Sequence, residues 1–488
     1  MTMKQRFAAP RILGLLLALS FAAVPLHVWA GETPAIEVEA ESGVLLGHAR
    51  LIKSGDLVAV DGLTAEGDGL TVTVTVPETG SYDIAVVSAS AGQHKENYLD
   101  VDGQRIGAFV TESRDYEPSL VPAVYLEAGE HTLTITSFWG WITIDKLTLT
   151  PSAALPADLY EVKPALVNPN ASENARRLMA YLCDCYGTSV ISGQYCDQGM
   201  FGPENTAIFK ETGEYPAILG LDLMNDSPAN TAHGTKSQTV EQAIQYWNAG
   251  GIVTICWHWT APSEYLTGTW YSAFYTEHTN IDLQKIMNGE DSAGYDLLLR
   301  DMDAIARQLQ RLRDAGVPVL WRPLHEASGG WFWWGAKGSD AYIALYRLMF
   351  DRFTHEYGLD NLIWVWNGQD PAWYPGDAYV DIIGEDIYPG EKVYTAQMPR
   401  FLAAADYTDS RKIIALSENG CLMDPDLMAR DGAMWSYTGT WNGEFVLKNK
   451  TYISDQYTDL DMLRKFYQHE RVITRKELPD LKNYPLSD

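Results

Sequence analysis

VPVLWRPLHE, residues 317–326, is the stretch that decides the fold of the larger part of this chain. It is an almost unbroken apolar run that ends in Arg322, His325 and Glu326. A strand that is apolar on both faces is typical of a covered parallel sheet, because a half-exposed strand would alternate apolar and polar residues. The segment therefore predicts a buried parallel strand with ionisable groups at its carboxyl end.

Seven similar segments follow residue 170, and helical patterns such as 172–186 and 294–316 separate them. In chain order the eight predicted strands are VISGQY (190–195), AILGLDLM (217–224), GIVTICWHW (251–259), VPVLWRPLHE (317–326), NLIWVWNG (361–368), YVDIIGEDIY (379–388), KIIALSENG (412–420) and MWSYTGTW (434–441). Eight alternating units of this size predict an α/β fold, a (β/α)8 TIM barrel. The alternative, an open doubly wound sheet, would need a glycine-rich phosphate turn after its first strand, and SGQYCDQG (192–199) is not one.

The first part of the chain follows a different pattern. LTVTVTVPETGSYDIAVVSAS (70–90) alternates strand residues around a turn, and Asp102-Gly103 is a strong hairpin signal. Many short strands at regular spacing predict an all-β sandwich of the jelly-roll type. We therefore expect a signal peptide at 1–30, a β-sandwich domain at 31–151, a proline-rich linker at 152–169 and the barrel at 170–488.

The charge of the chain and its N-terminus indicate an exported protein. Lys4, Arg6 and Arg11 precede an apolar stretch, and VWAG places a small-residue cleavage site after Ala30. The formal net charge is −28, and the sequence contains no cluster of lysine and arginine residues. Both observations argue against nucleic acid and membrane partners, which bind basic surfaces. We expect a secreted or periplasmic protein that does not associate with a membrane once the signal has been removed.

Five cysteines are few for an exported chain of 488 residues. Cys183, Cys185 and Cys196 cluster near the start of the second domain, where one disulfide could form. Cys256 and Cys421 follow apolar runs and are predicted to be buried thiols. No cysteine and histidine pattern has zinc-site spacing.

The chemistry of a barrel lies at the carboxyl ends of its strands, and two carboxyl groups, Glu326 and Glu418, end predicted strands four and seven. A pair of carboxyls that flanks a bond is what glycoside hydrolysis requires. One must stay protonated near neutral pH, and an apolar wall raises its pKa because desolvation disfavours the charged form. The other must stay ionised. The sequence shows neither a phosphate loop nor a Gly-x-Ser-x-Gly elbow, which disfavours phosphoryl and acyl transfer.

Aromatic residues surround Glu326. GGWFWWG (329–335) follows it directly, and the chain has 16 tryptophans, more than core packing should need. Sugar rings have apolar faces that lie flat on aromatic side chains. Of the four aromatics in this stretch, we expect only Trp331 to contact a substrate, and the sequence alone does not decide whether Phe332, Trp333 and Trp334 are supporting packing.

At this point the sequence resembles glycoside hydrolase family 26, whose main activity is β-1,4-mannanase. WRPLHEASGGWFWWG, WHW, WVWNGQDPAWYPGDAYVDIIGEDIY and LSENG carry the resemblance over most of residues 170–450. The resemblance implies a retaining double displacement with Glu326 as acid/base and Glu418 as nucleophile. It also implies substrate-binding roles for His258, His325, Trp331, Tyr388 and Trp441.

The first domain resembles carbohydrate-binding module family 35 in IEVEAES (36–42) and SFWGWITIDKLTL (137–149). The resemblance implies a structural calcium ion held by Glu39, Glu41 and Asp145, since hard cations prefer carboxylate oxygens. The alternative is that the glutamates simply alternate on a solvent face. Trp139 and Trp141 are either sugar platforms or core residues, and the sequence does not separate these two readings.

The expected function is that of an exported endo-β-1,4-mannanase acting on mannan, galactomannan or glucomannan and on manno-oligosaccharides, with no cofactor for catalysis. Three alternatives remain open. The first is an exo-acting, mannobiose-releasing enzyme, and the second is a β-1,3-xylanase or mixed-linkage glucanase that uses the same two glutamates. The third is a polysaccharide-binding protein without activity.

Overall fold

Two domains of different architecture follow one another along residues 35–486, the range that the computed structural model describes. The expected signal peptide, residues 1–30, lies outside this range. Within it no helix is both long and apolar enough to cross a bilayer.

The first domain is a sandwich of two antiparallel sheets. One sheet has the strand order β3-β4-β11-β6-β9, with β1 paired to β11, and the other has the order β2-β5-β10-β7-β8. Its strands are β1 (Ile36–Glu39), β2 (Val44–Leu46), β3 (Arg50–Ser54), β4 (Leu57–Asp61), β5 (Gly69–Val76), β6 (Gly80–Ser90), β7 (Lys95–Val101), β8 (Gln104–Thr111), β9 (Glu117–Leu126), β10 (Gly129–Ser137) and β11 (Ile142–Pro151). The predicted all-β sandwich is confirmed.

Alternation of side chains explains the sandwich. In β5 the residues Leu70, Val72, Val74 and Val76 are buried, whereas the threonines between them are less buried or exposed. Successive side chains of a strand point to opposite faces, so each sheet turns one apolar face inward. The two inner faces share a single apolar core.

The second domain is a closed barrel of eight parallel strands, as predicted from the eight apolar segments. The barrel strands are β13 (Gly193–Tyr195), β14 (Ile218–Asp222), β15 (Ile252–Trp257), β16 (Val319–Pro323), β17 (Leu362–Trp366), β18 (Ile382–Ile387), β19 (Ile413–Asn419) and β20 (Thr438–Thr440). Short strands outside the barrel are β12 (Val190–Ile191), which pairs with β23 (Val472–Ile473), and β21 (Leu447–Lys448), which pairs with β22 (Tyr452–Ile453).

Ten α-helices are found within the described residues, and they are α1 (Glu173–Cys185), α2 (Pro203–Thr212), α3 (Pro228–Ala232), α4 (Thr239–Asn248), α5 (Leu283–Met287), α6 (Ser292–Asp314), α7 (Ser339–Asp351), α8 (Met398–Ala405), α9 (Pro425–Asp431) and α10 (Leu460–Gln468). The long amphipathic helix α6 begins after Asp291, whose carboxylate accepts a hydrogen bond from the amide of Gly294 at 2.8 Å. Such a cap satisfies one of the unpaired N–H groups of the first turn.

Tryptophan contributes far more to the barrel core than we expected from the sequence. Eight tryptophans in the described part of the chain are less than 2 % exposed, namely Trp257, Trp259, Trp321, Trp333, Trp334, Trp364, Trp366 and Trp435. The idea that the tryptophan content exceeds the needs of packing is therefore wrong for these residues. Truncating one of them to alanine costs about 3–5 kcal/mol in a typical core.

The segment between the domains is attached to the barrel. Leu159 is 3 % exposed and belongs to the apolar core of the barrel, and the amide of Val167 donates to Asp381 at 2.7 Å. The sandwich also packs on the barrel, since α8 lies against β8 and β9 and α9 lies against β9. From Ala35 onward the chain is accordingly one compact unit.

All five cysteines are free thiols. The disulfide considered for the cluster of Cys183, Cys185 and Cys196 is therefore not formed in this structure. Cys256 and Cys421 are buried, as predicted, at 0 % and 1 % exposure.

Candidate active site

The two candidate catalytic carboxyls meet at the carboxyl end of the barrel. Glu326 lies just beyond β16 and Glu418 is the penultimate residue of β19. One carboxylate oxygen of each, together with one of Asp386 from β18, lies within 4.8 Å of the other two. Three acidic groups are thus held in one small volume.

Glu326 is presented by an unusual backbone. Leu324 and Glu326 both have φ of 52°, in the left-handed region. This conformation costs roughly 1–2 kcal/mol for a residue with a β-carbon, so it needs support from its surroundings. Asn367 of the neighbouring strand supplies that support, because its side-chain oxygen accepts from the amide of Glu326 at 2.9 Å and its carbonyl accepts from the same amide at 2.7 Å.

The carboxyl group of Glu326 has few groups that would stabilise its charge. Its Oε2 accepts one hydrogen bond, from the indole N–H of Trp331 at 2.9 Å. Desolvation raises the pKa of Glu326 well above its usual range, and the nearby charges of Asp386 and Glu418 raise it further. Glu326 is therefore the carboxyl that keeps a proton near neutral pH.

Glu418 has the opposite environment. It is 4 % exposed, accepts from the hydroxyl of Tyr388 at 2.7 Å and pairs with the guanidinium of Arg322. Burial and the charge of Asp386 raise the pKa of Glu418 to about 7, while the charge of Arg322 and the hydrogen bond from Tyr388 keep that rise smaller than the rise at Glu326. The two environments thus separate the pKa values of the two carboxyls, and Glu418 is the one that ionises at the lower pH.

Arg322 holds the acidic cluster together. Its side chain is fully buried inside the barrel, and it donates to Asp386 at 2.8 Å as well as to Glu418. A buried charge is costly unless it is paired, so Arg322 and the two carboxylates stabilise one another. Ser417 adds a hydrogen bond to the other oxygen of Asp386 at 2.7 Å.

A second polar cluster consists of two histidines and an aspartate. The Nδ1 of His258 lies 2.6 Å from Asp222 and its Nε2 lies 3.2 Å from the Nε2 of His325. Burial lowers the pKa of His258, but Asp222 outweighs burial and raises it overall. Burial and the charges of Arg322 and His258 lower the pKa of His325 well below its usual range. Of the two rings, His258 is therefore the one that holds a second proton more readily, because Asp222 pairs with it.

The expected substrate contacts fall into two groups. Trp331 and Tyr388 are 48 % and 40 % exposed, and Trp441 lies at the same mouth with its ring centroid 5.7 Å from that of His258. These side chains offer faces to a ligand. His325 is 1 % exposed and contacts His258, and its substrate-binding role stays a prediction. Phe332, Trp333 and Trp334 are buried, which identifies them as packing residues where the sequence left their role open.

Four contributors to the site were given no role from the sequence, although Arg322 was noted at the end of its strand: Arg322, Asp386, Asp222 and Asn367. Each ends or nearly ends a barrel strand, and that position is the signal that could have identified them. Arg322 carries the clearest signal, since a lone arginine inside the apolar run VLWRP has to be paired if the strand is buried.

In the sandwich, Glu41 and Asp145 lie close enough for the charge of one to affect the other, but within the described residues Glu39, Glu41 and Asp145 do not form a set whose carboxylate oxygens all lie within 4.8 Å of one another. Glu41 has a buried carboxylate oxygen, Oε2, without a hydrogen-bond partner, and its charge together with burial raises the pKa of Asp145. Glu39 ends β1 beside Lys146 of β11. Trp139 and Trp141 are 49 % and 63 % exposed, which makes them surface residues and decides against the core reading.

Known proteins resemble this chain in both domains. The model of glycosyl hydrolase family 26 matches residues 167–477, and that of carbohydrate-binding module family 35 matches residues 36–152. A mannan endo-1,4-beta-mannosidase of Thermothelomyces thermophilus is 39 % identical over 425 residues, which cover 86 % of this chain and 85 % of the relative. Mannan endo-1,4-beta-mannosidase B of a Piromyces species is 33 % identical over 90 % of this chain and 77 % of its own length.

Solved structures resemble it as well. A GH26-CBM35 β-(1,4)-mannanase of Podospora anserina superimposes with a TM-score of 0.65 at 36 % identity, over 92 % of this chain and 99 % of its own. A ruminal GH26 endo-β-1,4-mannanase gives a TM-score of 0.65 at 27 % identity over the same shares. The sequence resemblance to the two families is thereby confirmed. The chain belongs to glycosyl hydrolase family 26 and carries a family 35 carbohydrate-binding module in front of its barrel.

Proposed function

We propose that the chain is an exported endo-β-1,4-mannanase that retains the configuration of the cleaved sugar. The observation that carries the proposal is the carboxyl pair, in which the nearest oxygens of Glu326 and Glu418 lie within 4.8 Å and in unlike environments. Retaining glycosidases hold their carboxyls about 5–5.5 Å apart, whereas inverting ones leave about 6.5–9.5 Å for a water molecule. The relatives named as mannanases support the choice of substrate, and the N-terminal residues 1–30 support export.

In the first step, protonated Glu326 gives its proton to the glycosidic oxygen while an oxygen of Glu418 attacks the anomeric carbon. The bond between that carbon and the leaving oxygen breaks, and a glycosyl ester of Glu418 forms. Arg322 and Tyr388 keep Glu418 ionised and aimed before the attack. Trp331 keeps Glu326 in place through its indole hydrogen bond.

In the second step, ionised Glu326 takes a proton from water, whose oxygen attacks the same carbon from the side vacated by the leaving sugar. The ester bond to Glu418 breaks, so both carboxyls return to their starting states. Two inversions give net retention. No step needs a metal ion, since the guanidinium of Arg322 stabilises the negative charges at the centre.

The exposed aromatic faces suit a neutral polysaccharide. Trp331, Tyr388 and Trp441 surround the carboxyls, and His258 adds a polar group among them. Aromatic faces bind the apolar side of a sugar ring, and polar groups bind its hydroxyls. A chain with a net charge of −28 is also better matched to a neutral polymer than to an anionic one.

Mannohexaose is the substrate that tests this function most directly. We expect a spread of early products, because endo-acting enzymes cleave internal bonds, and we expect the new reducing ends to appear first as the β-anomer. Chromatography of samples from the first few per cent of conversion and proton NMR of the anomeric signals provide the two readouts. Mannobiose as the sole early product would mean exo action, and α-anomers would contradict the retaining mechanism. If only β-1,3-xylan or mixed-linkage glucan were hydrolysed, the chain would be a xylanase or glucanase instead of a mannanase. If neither these polymers nor mannohexaose were hydrolysed, a polysaccharide-binding protein without activity would be favoured.

A calcium ion in the sandwich is a separate proposal. The unpartnered buried oxygen of Glu41 and the proximity of Asp145 fit a hard cation, which Glu39 would help to hold. EDTA is expected to lower the unfolding temperature of the sandwich, and adding calcium should restore it. The rate of mannohexaose hydrolysis at 25 °C should not change. Differential scanning calorimetry with and without calcium measures the first effect, and an unchanged thermogram would contradict the site.

A further inference from the structure

The sandwich reaches the barrel at the loop that leaves β18. This loop, residues 388–397, begins with Tyr388, whose hydroxyl donates to Glu418 at 2.7 Å, and it ends at Gln397, the residue before α8. The same loop therefore touches the reacting centre at one end and the sandwich at the other.

Arg105, in strand β8 of the sandwich, contacts both ends of this loop. Its carbonyl oxygen accepts from the hydroxyl of Thr395 at 2.6 Å and from the side-chain amide of Gln397 at 3.1 Å. Its guanidinium donates to the carbonyl of Pro389 at 3.5 Å, directly after Tyr388. No other side chain of the described sandwich residues has a hydrogen bond to this loop.

Arg105 is itself held firmly. Its Nε donates to Asp100 at 3.0 Å, and its guanidinium lies over the ring of Tyr98 at 3.7 Å from the centroid. A third contact reaches the hydroxyl of Thr136 at 3.4 Å. A planar guanidinium that is stacked and paired loses little further freedom when it makes one more contact.

The loop needs such support because its backbone is strained. Lys392 and Gln397 have φ of 57° and 54°, a conformation that side chains with a β-carbon disfavour. The barrel holds the middle of the loop, where the amide of Lys392 donates to Tyr457 and the hydroxyl of Tyr394 donates to Asp459, both at 2.7 Å. The two ends are the parts that Arg105 contacts.

We propose that Arg105 is a positioning residue for the reaction: through residues 388–397 it sets where Tyr388 meets Glu418. The binding module would then contribute to turnover in addition to any contact with polysaccharide. This inference rests on the proposed function, because it presumes that Glu418 is the nucleophile.

Arg105→Ala removes the hydrogen bond from the guanidinium to Pro389, together with the contacts that the guanidinium makes with Asp100 and Tyr98. We expect kcat on mannohexaose to fall about 10-fold, with KM nearly unchanged, since a misplacement of about 1 Å can cost about 100-fold. The acidic limb of the kcat/KM profile should move to higher pH by about half a unit, because the Tyr388 hydrogen bond favours the ionised form of Glu418. Arg105→Lys should recover only part of the loss, since lysine lacks the planar fork.

A double-mutant cycle with Tyr388→Phe separates positioning from general damage. If Arg105 acts through Tyr388, then Arg105→Ala should have little further effect on kcat or on the pH profile in the Tyr388→Phe background. Arg430→Ala is the matched control, because Arg430 lies 4.3 Å over the ring of Tyr125 at the same interface without touching the loop. It should leave kcat and the pH profile unchanged.

Thr395→Val provides a second, nearly isosteric variant that should reproduce a smaller shift of the acidic limb. Thermal unfolding of every variant identifies any that fail to fold. If Arg105→Ala and Thr395→Val are both folded and have wild-type pH profiles, or if their losses multiply with that of Tyr388→Phe, the positioning role is overturned. If the wild-type chain itself does not hydrolyse mannohexaose, the failure belongs to the proposed function instead.

Discussion

Glu418→Gln is expected to lower kcat on mannohexaose by about 10⁴- to 10⁶-fold, the range seen when an enzyme loses its nucleophile. An amide oxygen is too weak a nucleophile to form the glycosyl ester. Glutamine has nearly the same shape as glutamate, but its single amide oxygen can replace only one of the two carboxylate oxygens that accept from Arg322 and Tyr388. Initial rates measured at high enzyme concentration, with thermal unfolding alongside, test the expectation.

The matched control is Glu470→Gln, which makes the same chemical change at an exposed residue near the C-terminus. Its turnover should equal that of the wild type. Glu418→Ala adds a positive test, because the smaller side chain leaves space for azide to attack the sugar and form the α-glycosyl azide. Near-normal turnover of a folded Glu418→Gln variant would remove Glu418 from the mechanism.

Glu326→Gln is expected to lower kcat on mannohexaose by about 10²- to 10⁴-fold, the usual contribution of a general acid or base. It should also change the pH profile in a defined way. In the wild type, kcat/KM falls as pH rises through the pKa of Glu326, because the protonated form is the active one and desolvation places that pKa well above the usual range. The variant has no proton to lose at this position, so the basic limb should disappear.

The leaving group distinguishes this role from simple disruption. An aryl β-mannobioside with an acidic phenol has a leaving group that departs without protonation. The Glu326→Gln variant should therefore form the glycosyl ester from this substrate at nearly the wild-type rate, and hydrolysis of the ester should then be slow. A burst of phenol followed by slow turnover, recorded by stopped-flow absorbance, is the expected trace. An equal loss on both substrates, without a burst, would mean that Glu326 is not the acid.

The barrel could be predicted because its strands are apolar along their whole length. β16 and β17 consist of five buried residues each, and the amphipathic helix α7 lies between them. The apolar runs of the strands are therefore easily distinguished from the helical spacing of apolar residues in α7. The carboxyl-end rule then identified Glu326 and Glu418. The bounds were predicted less well at β20, which has three residues, Thr438–Thr440, where the predicted segment spans 434–441.

The parts that could not be predicted depend on contacts between distant residues. Arg322 pairs with Glu418 across 96 positions of the sequence, and no local pattern indicates that partner. The left-handed φ of Glu326 is likewise imposed by Asn367 rather than by local preference. Arg105 and Thr395, which are joined by a hydrogen bond, are 290 positions apart in the sequence. The tryptophans were misjudged for the same reason, since composition does not distinguish a core from a binding surface.

The order in which a ribosome makes this chain gives β8 and β9, two of the four strands at the ends of the sandwich sheets, a particular history. β8 and β9 are synthesised well before α8 and α9, the helices that eventually pack against them. Bare sheet edges invite pairing with other chains, and proline at an edge blocks it because proline has no N–H to offer. β9 contains two prolines, Pro118 and Pro122. The edge formed by β9 is thus the one that disfavours pairing with another chain before the barrel has been made, whereas β8 has no proline.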